Sequence, residues 1–226
     1  MSKFQTVNLI SIDGNIGSGK STLMGELEII FHDNKNIVFL KEPTKDWENI
    51  TDENDITILQ KFYENPSKYG FSFQIMAYIS RLKIMKEEFA KNPNAIFITE
   101  RSLFTDKFVF AKMLFDSGNI ELVNYKIYLE WFNTFADEFP VSKVIYVNTD
   151  PEICHQRIEK RSRTGESNIP IEYLQNCHKY HNNMLDVNSD DCVCKEQLVL
   201  NGNIDIYENK EQLNEWIDKI NNFIHN

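Results

Sequence analysis

The run Gly14-Asn15-Ile16-Gly17-Ser18-Gly19-Lys20-Ser21 puts glycine, lysine and hydroxyl at the spacing of a phosphate-binding loop, G-x-x-x-x-G-K-[ST]. It follows the apolar stretch Val7–Ile12, which reads as a buried strand. It precedes Thr22–Phe31, which reads as a helix with its apolar residues toward one side. Glycines at these positions let backbone N–H groups wrap a polyphosphate, and the helix start adds partial positive charge. Lys20 is placed to bridge the β- and γ-phosphates, and the Ser21 hydroxyl to hold Mg²⁺. Residues 14 to 22, Thr22 included, are therefore the candidate contacts to a nucleoside triphosphate such as ATP. An ordinary glycine turn would not need a strand on one side and a helix on the other.

Ligands of open α/β sheets bind beyond the carboxyl ends of the strands. Lys41-Glu42-Pro43 follows the second expected strand and Glu100-Arg101-Ser102 the third. Two carboxylates and an arginine thereby face the γ-phosphate end of the loop, a grouping suited to phosphoryl transfer to a hydroxyl. One carboxylate takes the hydroxyl proton, the other helps hold the metal, and the arginine offsets charge on the transferred group. Read alone, Glu42 could equally be a surface acid at a strand end; Lys20 opposite and Pro43 after it favour the functional reading.

Further along, Gln74, Ala77 and Arg81 share one helix face, and Asp106 and Phe110 share another. A side-chain amide offers a donor and an acceptor in one plane, which matches the edge of a nucleobase. Arg81 and Asp106 could contact exocyclic groups behind it, or be a plain ion pair. Phe73 and Phe110 could sandwich a ring, or be core. Arg157, Arg161 and Arg163 sit at a helix end and in the polar loop around Gly165, where they could close over phosphates as a lid at about 161–168.

These residues require an α/β fold: a five-stranded parallel sheet with helices on both faces. The strands are expected at about Thr6–Asp13, Asn36–Leu40, Ala95–Thr99, Lys143–Asn148 and Gln197–Leu200. Helices are expected over Phe71–Lys91, Asp106–Ser117, Leu122–Glu138 and Pro151–Arg161, from Pro170 onward, and over Glu211–Ile224. The polar run Asp186–Lys195 reads as a mobile loop. The whole chain, 1–226, reads as one domain, with no linker or repeat. A formal net charge of −10 argues against a non-specific nucleic-acid surface. No apolar run is long enough to span a membrane. No leader segment is evident, and four cysteines without a disulfide framework suit the reducing cytoplasm. Cys177, His178, His181, Cys192 and Cys194 have irregular spacing for zinc and read as incidental neighbours.

Taken together, the chain resembles the deoxyribonucleoside kinase family, in its deoxycytidine/deoxyguanosine kinase-like branch. The resemblance runs nearly end to end. It rests on Gly14–Ser21, Glu42-Pro43-x-x-x-Trp47, Tyr63-Glu64-x-Pro66, Phe71-x-Phe73-Gln74 with Arg81, Glu100-Arg101-Ser102 with Asp106, and Arg157-x-x-x-Arg161-x-Arg163-x-x-Glu166. It implies a P-loop kinase fold with a short arginine-rich lid, transferring the γ-phosphate of ATP or another triphosphate to a deoxynucleoside 5′-hydroxyl. Glu42 would be the base, Glu100 would act on the metal side with Ser21, and Arg101 would bind near the 5′-oxygen. Gln74 would pair with the nucleobase and Phe110 would stack on it. Arg81 and Asp106 would read its far edge, with Ala77 nearby and Trp47 at its border. Tyr63 and Glu166 would hold the 3′-hydroxyl. The lid would supply Arg157, Arg161 and Arg163. A homodimer through Phe71–Lys91 and Leu122–Glu138, and feedback inhibition by a deoxynucleoside triphosphate, are also implied. Ala77, Arg81 and Asp106 look like members that prefer deoxycytidine, deoxyadenosine or deoxyguanosine to thymidine. The chain departs from the family pattern at His181-Asn182-Asn183-Met184 and at Tyr69, where tryptophan is common.

A thymidylate-type monophosphate kinase also carries a phosphate loop and a Glu-Pro. Glu42 would repel its phosphorylated acceptor, and Glu100-Arg101-Ser102 departs from the Asp-Arg-aromatic sequence of that group. A non-catalytic nucleotide sensor would be expected to have lost one of Lys20, Ser21, Glu42 or Arg101, and all four are present.

Overall fold

The computed structural model describes residues 8–161, 165–166 and 169–225. Five parallel strands form one sheet: β1 (Asn8–Asp13), β2 (Ile37–Leu40), β3 (Ile96–Glu100), β4 (Lys143–Asn148) and β5 (Gln197–Asn201). Their order is β2-β3-β1-β4-β5, with β1 paired to β3 on one side and to β4 on the other. The chain thus turns one way after β1 and the other way after β3, which opens a crevice beyond their carboxyl ends.

Both faces of the sheet are covered, as a parallel sheet requires. Leu9 and Phe97 pack into one core, with Tyr78, Leu82 and Met85 of α4 (Pro66–Lys91). Their strand neighbours Ile10 and Ile98 point the other way, onto Leu23 and Leu27 of α1 (Lys20–Ile30) and Trp216 and Ile220 of α10 (Lys210–His225). A third cluster sets Val144 and Tyr146 against Cys154 of α8 (Pro151–Arg161) and Leu174 of α9 (Ile171–Met184).

Several elements differ from the sequence expectation. β3 runs one residue further, so Glu100 is its last residue. Two short helices, α2 (Thr44–Glu48) and α3 (Ile58–Glu64), occupy a stretch in which none was expected. The long helix begins at Pro66 rather than Phe71, because proline fits the first helical turn and the Asn65 side chain caps it at Lys68 N–H. The expected Asp106–Ser117 helix starts earlier, at α5 (Leu103–Thr105). It widens to a π-helical turn over Asp106–Ala111 and finishes as α6 (Lys112–Asp116). α7 covers Leu122–Phe135, and its last turn tightens to a 3₁₀ turn over Ala136–Glu138. At the two ends of the 186–195 stretch, Gln197 Nε2 donates to Leu185 O at 2.9 Å and to Cys194 O at 2.7 Å. Thr6 and Val7, and the lid positions 162–164 and 167–168, lie outside the described residues.

Candidate active site

A cleft of about 590 Å³ opens at the crevice, lined from the phosphate loop through Glu42 and Arg101 to Gln74. The loop between β1 and α1 depends on its glycines. A side chain on Gly17, at φ +77, would put Cβ 2.6 Å from the Cys154 carbonyl of α8. Gly14, at φ +148, meets the Val147 carbonyl at the same distance. α1 starts without a side-chain cap, so its first-turn N–H groups remain available to an anion. Lys20 is buried, and its Nζ donates to Asn15 O at 2.6 Å. Burial first, and the Arg101 charge second, pull its ammonium down to about 8. Asn15 itself differs from a simple ligand contact: its side chain donates to Leu174 O at 2.9 Å and accepts from Ile16 N–H, bracing the loop against α9.

The two carboxylates have separate environments. Ser21 Oγ donates to Glu100 Oε1 at 2.6 Å. This hydroxyl and carboxylate are a hard-oxygen pair of the kind Mg²⁺ takes when phosphate oxygens and waters complete its octahedron, so the residues fit the ion. Glu42 faces arginines instead. Arg101 Nη1 donates to Glu42 Oε1 at 2.5 Å and Arg81 Nη2 to the same oxygen at 3.4 Å. Burial pushes the Glu42 carboxyl up, but Arg101, Arg81 and Lys20 outweigh it and hold it at about 2. Burial likewise pulls Arg101 down, and Glu42 and Glu100 reverse the direction. Arg101 has φ 62, a left-handed conformation that costs a non-glycine residue roughly 1–3 kcal/mol and clusters at functional sites. Its Nε has no hydrogen-bond partner among the described residues.

Arg81 joins Glu42 to Asp106. Nε donates to Asp106 Oδ2 at 3.0 Å, and Nη1 to the Glu100 carbonyl at 2.5 Å. Asp106 is buried, which raises its carboxyl against the pull of Arg81. The Gln74 amide is 2% exposed, borders the cleft and forms no hydrogen bond to a described residue. A buried amide without a protein partner suits a planar polar ligand edge. Phe73 and Phe110 both line the cleft, yet each already has a face engaged. Phe73 stacks on Phe62 at 4.7 Å and meets Trp47 edge-on at 5.3 Å, while the Arg101 guanidinium lies 4.9 Å from the Phe110 centroid. Trp47 is fixed by its Nε1–H, which donates to Ser80 Oγ at 2.9 Å. Ala77 also lines the cleft.

Tyr63 and Glu166 both line the cleft, and burial, then the Glu166 charge, raises the Tyr63 phenol. Arg157 and Arg161 both line the cleft. Arg157 bridges backbone carbonyls, donating to Gly202 O at 2.8 Å, Ser18 O at 3.3 Å and Ile204 O at 3.4 Å. It thereby ties the phosphate loop to the segment after β5. Arg161 pairs with Glu166. Arg163 lies outside the described residues. Thr22 is half-buried in the first turn of α1.

Sequence reasoning missed the segment 202–207 at one end of the cleft, where Ile204, Ile206 and Tyr207 join the lining. Only Gly202 among Asn201–Asn203 hinted at a turn there. It also missed the Arg101 backbone conformation. Of the cysteine and histidine set, Cys177 Sγ points to Met113 Sδ and Cys194 Sγ to Ser142 O. His181 Nδ1 meets Cys177 O at 2.8 Å, and burial lowers its ring to about 3. Among the described residues no three His, Cys, Asp or Glu side chains gather as for a metal ion.

Comparison with known proteins places this geometry in context. The sequence model described as "Deoxynucleoside kinase" matches residues 10–225. The chain is 33% identical over 226 residues to "Probable deoxycytidine kinase FPV151" of Fowlpox virus, covering 99% of this chain and 91% of the relative. It is 34% identical over 242 residues to "Deoxycytidine kinase 2" of Gallus gallus, covering 95% and 89%. "Thymidine kinase 2, mitochondrial" of Homo sapiens is 30% identical over 180 residues, covering 79% and 64%.

Proposed function

The chain belongs to the deoxynucleoside kinase family, and from that premise we propose that it transfers the γ-phosphoryl group of ATP, or another nucleoside triphosphate, to the 5′-hydroxyl of a deoxynucleoside. The observation that carries this reading is the Glu42–Arg101 contact at 2.5 Å, set in one cleft between the Lys20 loop and the Gln74 amide. The acceptor's base lies toward Gln74, bordered by Trp47 and Phe110, and its 3′-hydroxyl toward Tyr63 and Glu166. The 5′-oxygen then sits at Glu42 and Arg101, facing the γ-phosphate.

In the transfer, the 5′-oxygen forms a bond to the γ-phosphorus as the bond to the β–γ bridging oxygen breaks. The hydroxyl proton passes to Glu42, and the nucleoside diphosphate leaves. A carboxylate held at about 2 is a weak proton acceptor. That is sufficient in a loose transition state, where the attacking oxygen loses its proton late and positioning matters most. Arg101 and Lys20 stabilise the charge on the transferred group and leaving oxygen. Ser21 and Glu100 would hold Mg²⁺, which neutralises phosphate charge when bound.

The buried Arg81–Asp106 pair supports deoxycytidine, deoxyadenosine or deoxyguanosine over thymidine. The names of the relatives do not separate these, since deoxycytidine and thymidine kinases both match. Ile79 of α4 and Val123, Ile127 and Trp131 of α7 are exposed and apolar, which supports a second copy of the chain as their cover. No helix among the described residues is long and apolar enough to cross a membrane. The free cysteines support a reducing compartment such as the cytoplasm. Feedback inhibition by a deoxynucleoside triphosphate spanning both ends of the cleft fits the same geometry. Turnover of the purified chain with ATP and Mg²⁺ on four deoxynucleosides, their ribonucleosides and their monophosphates tests the reading. Formation of deoxynucleoside 5′-monophosphate is the expected result. Thymidine as clearly the best acceptor overturns the base preference, monophosphates as the acceptors overturn the reaction, and binding without turnover points to a sensor.

A further inference from the structure

The left-handed turn at Arg101 is tied to the end of β1, through the Ile12 carbonyl directly and through Asp13 by way of Ser102 and Thr105. Arg101 N–H donates to Ile12 O at 3.0 Å. The next residue, Ser102, closes a reciprocal cap with Thr105: Thr105 N–H donates to Ser102 Oγ at 3.2 Å and Ser102 N–H to Thr105 Oγ1 at 3.1 Å. The Thr105 hydroxyl has one proton and gives it to Asp13 Oδ1 at 2.5 Å. The 3.1 Å contact between the two hydroxyls is therefore donated by Ser102. Asp13 Oδ2 accepts from Ser11 Oγ at 2.6 Å. Asp13, Ser102 and Thr105 are all at most 1% exposed. A carboxylate only accepts, so the chain of hydroxyls runs one way, from Ser102 through Thr105 to Asp13.

We propose that Asp13, acting through Thr105 and Ser102, is a positioning residue that sets Arg101 against the phosphate loop. Asp13 immediately precedes Gly14, so the residue that anchors Thr105 through its side chain is joined directly to the loop that seats the donor. None of the three side chains lines the cleft. Their contribution passes through the Arg101 backbone, whose left-handed conformation persists only when its surroundings over-determine it. Asparagine at position 13 would keep the shape but could donate, allowing the hydroxyl chain to reverse and the cap to loosen.

The inference rests on the reading that Arg101 acts on the transferred group, and the test separates the two. Thr105→Val removes the hydroxyl at nearly constant volume, and Thr105→Ser restores it. Thr105→Val is expected to lower kcat about tenfold or more, with KM for ATP and deoxynucleoside within about twofold. Thr105→Ser should return most of the rate. Asp13→Asn, the second variant if the valine protein folds poorly, is expected to lower kcat in the same way. In an Arg101→Ala background, Thr105→Val should cause little further loss, because the two act as a unit. Wild-type kcat in both Thr105→Val and Asp13→Asn overturns the inference, as does a loss in Thr105→Val that repeats at full size in the Arg101→Ala background. An Arg101→Ala protein that turns over at the wild-type rate overturns the reading of Arg101 itself, and the inference with it.

Discussion

Arg101 and Glu42 share a 2.5 Å hydrogen bond, and Arg81 reaches the same Glu42 oxygen at 3.4 Å. One carboxylate oxygen thus collects both arginines. The arrangement fixes the position of the Glu42 carboxylate and keeps it ionised.

Glu42→Gln keeps the shape and removes the charge. Turnover is expected to fall by about 10²–10⁴-fold, the range for loss of a general base, while nucleoside binding persists. Steady-state kinetics with a binding isotherm check this. A near-normal rate would remove Glu42 as the base.

Because the Glu42 carboxyl is held at about 2, it stays ionised as pH falls from neutrality and protonates only near that value. Between pH 7 and 5, kcat should therefore show no loss with a carboxylate-like inflection. Arg81→Met removes one of the charges that lower Glu42, so the inflection should move upward toward the ordinary carboxylate range. A pH–rate profile of both proteins provides the comparison.

Lys20 moves the other way. Burial lowers its ammonium to about 8, so its charge is present below that pH and lost above it. With deoxynucleoside saturating, kcat/KM for ATP is expected to decline as pH rises through about 8. Bound polyphosphate favours the protonated amine, so kcat should decline only at higher pH.

Asp106→Ala would leave the Arg81 guanidinium buried beside a hole. Breaking a buried ion pair from one side costs about 3–5 kcal/mol, which for a chain of this size corresponds to roughly 6–20 °C in melting temperature. Gln74→Ala should not destabilise in this way, since its amide has no partner among the described residues to lose. Instead, KM for the deoxynucleoside should rise at least about tenfold. Calorimetry and kinetics on the two variants separate the roles.

Much of the candidate site is legible in the sequence because its residues follow strand ends. Apolar runs located β1, β2 and β3, and the polar residues straight after them were Gly14–Ser21, Glu42 and Arg101. Periodicity placed Gln74, Ala77 and Arg81 on one helix face. The π turn at Asp106–Ala111 was not readable, since one extra residue in a helical turn leaves no mark in apolar spacing. Nor were the backbone partners of Arg157, whose carbonyls at 18, 202 and 204 come from segments far apart in sequence. α2 and α3 escaped because five- and seven-residue helices carry too few turns to show a period.

The most direct test is a crystal structure of the chain with deoxycytidine and ADP–Mg²⁺ bound. The 5′-oxygen is expected within hydrogen-bond reach of Glu42 and Arg101, on the Lys20 side of the cleft, with the base edge against Gln74. A deoxynucleoside bound in the reverse sense, its 5′-oxygen away from Glu42 and turned from the phosphate loop, would contradict the account.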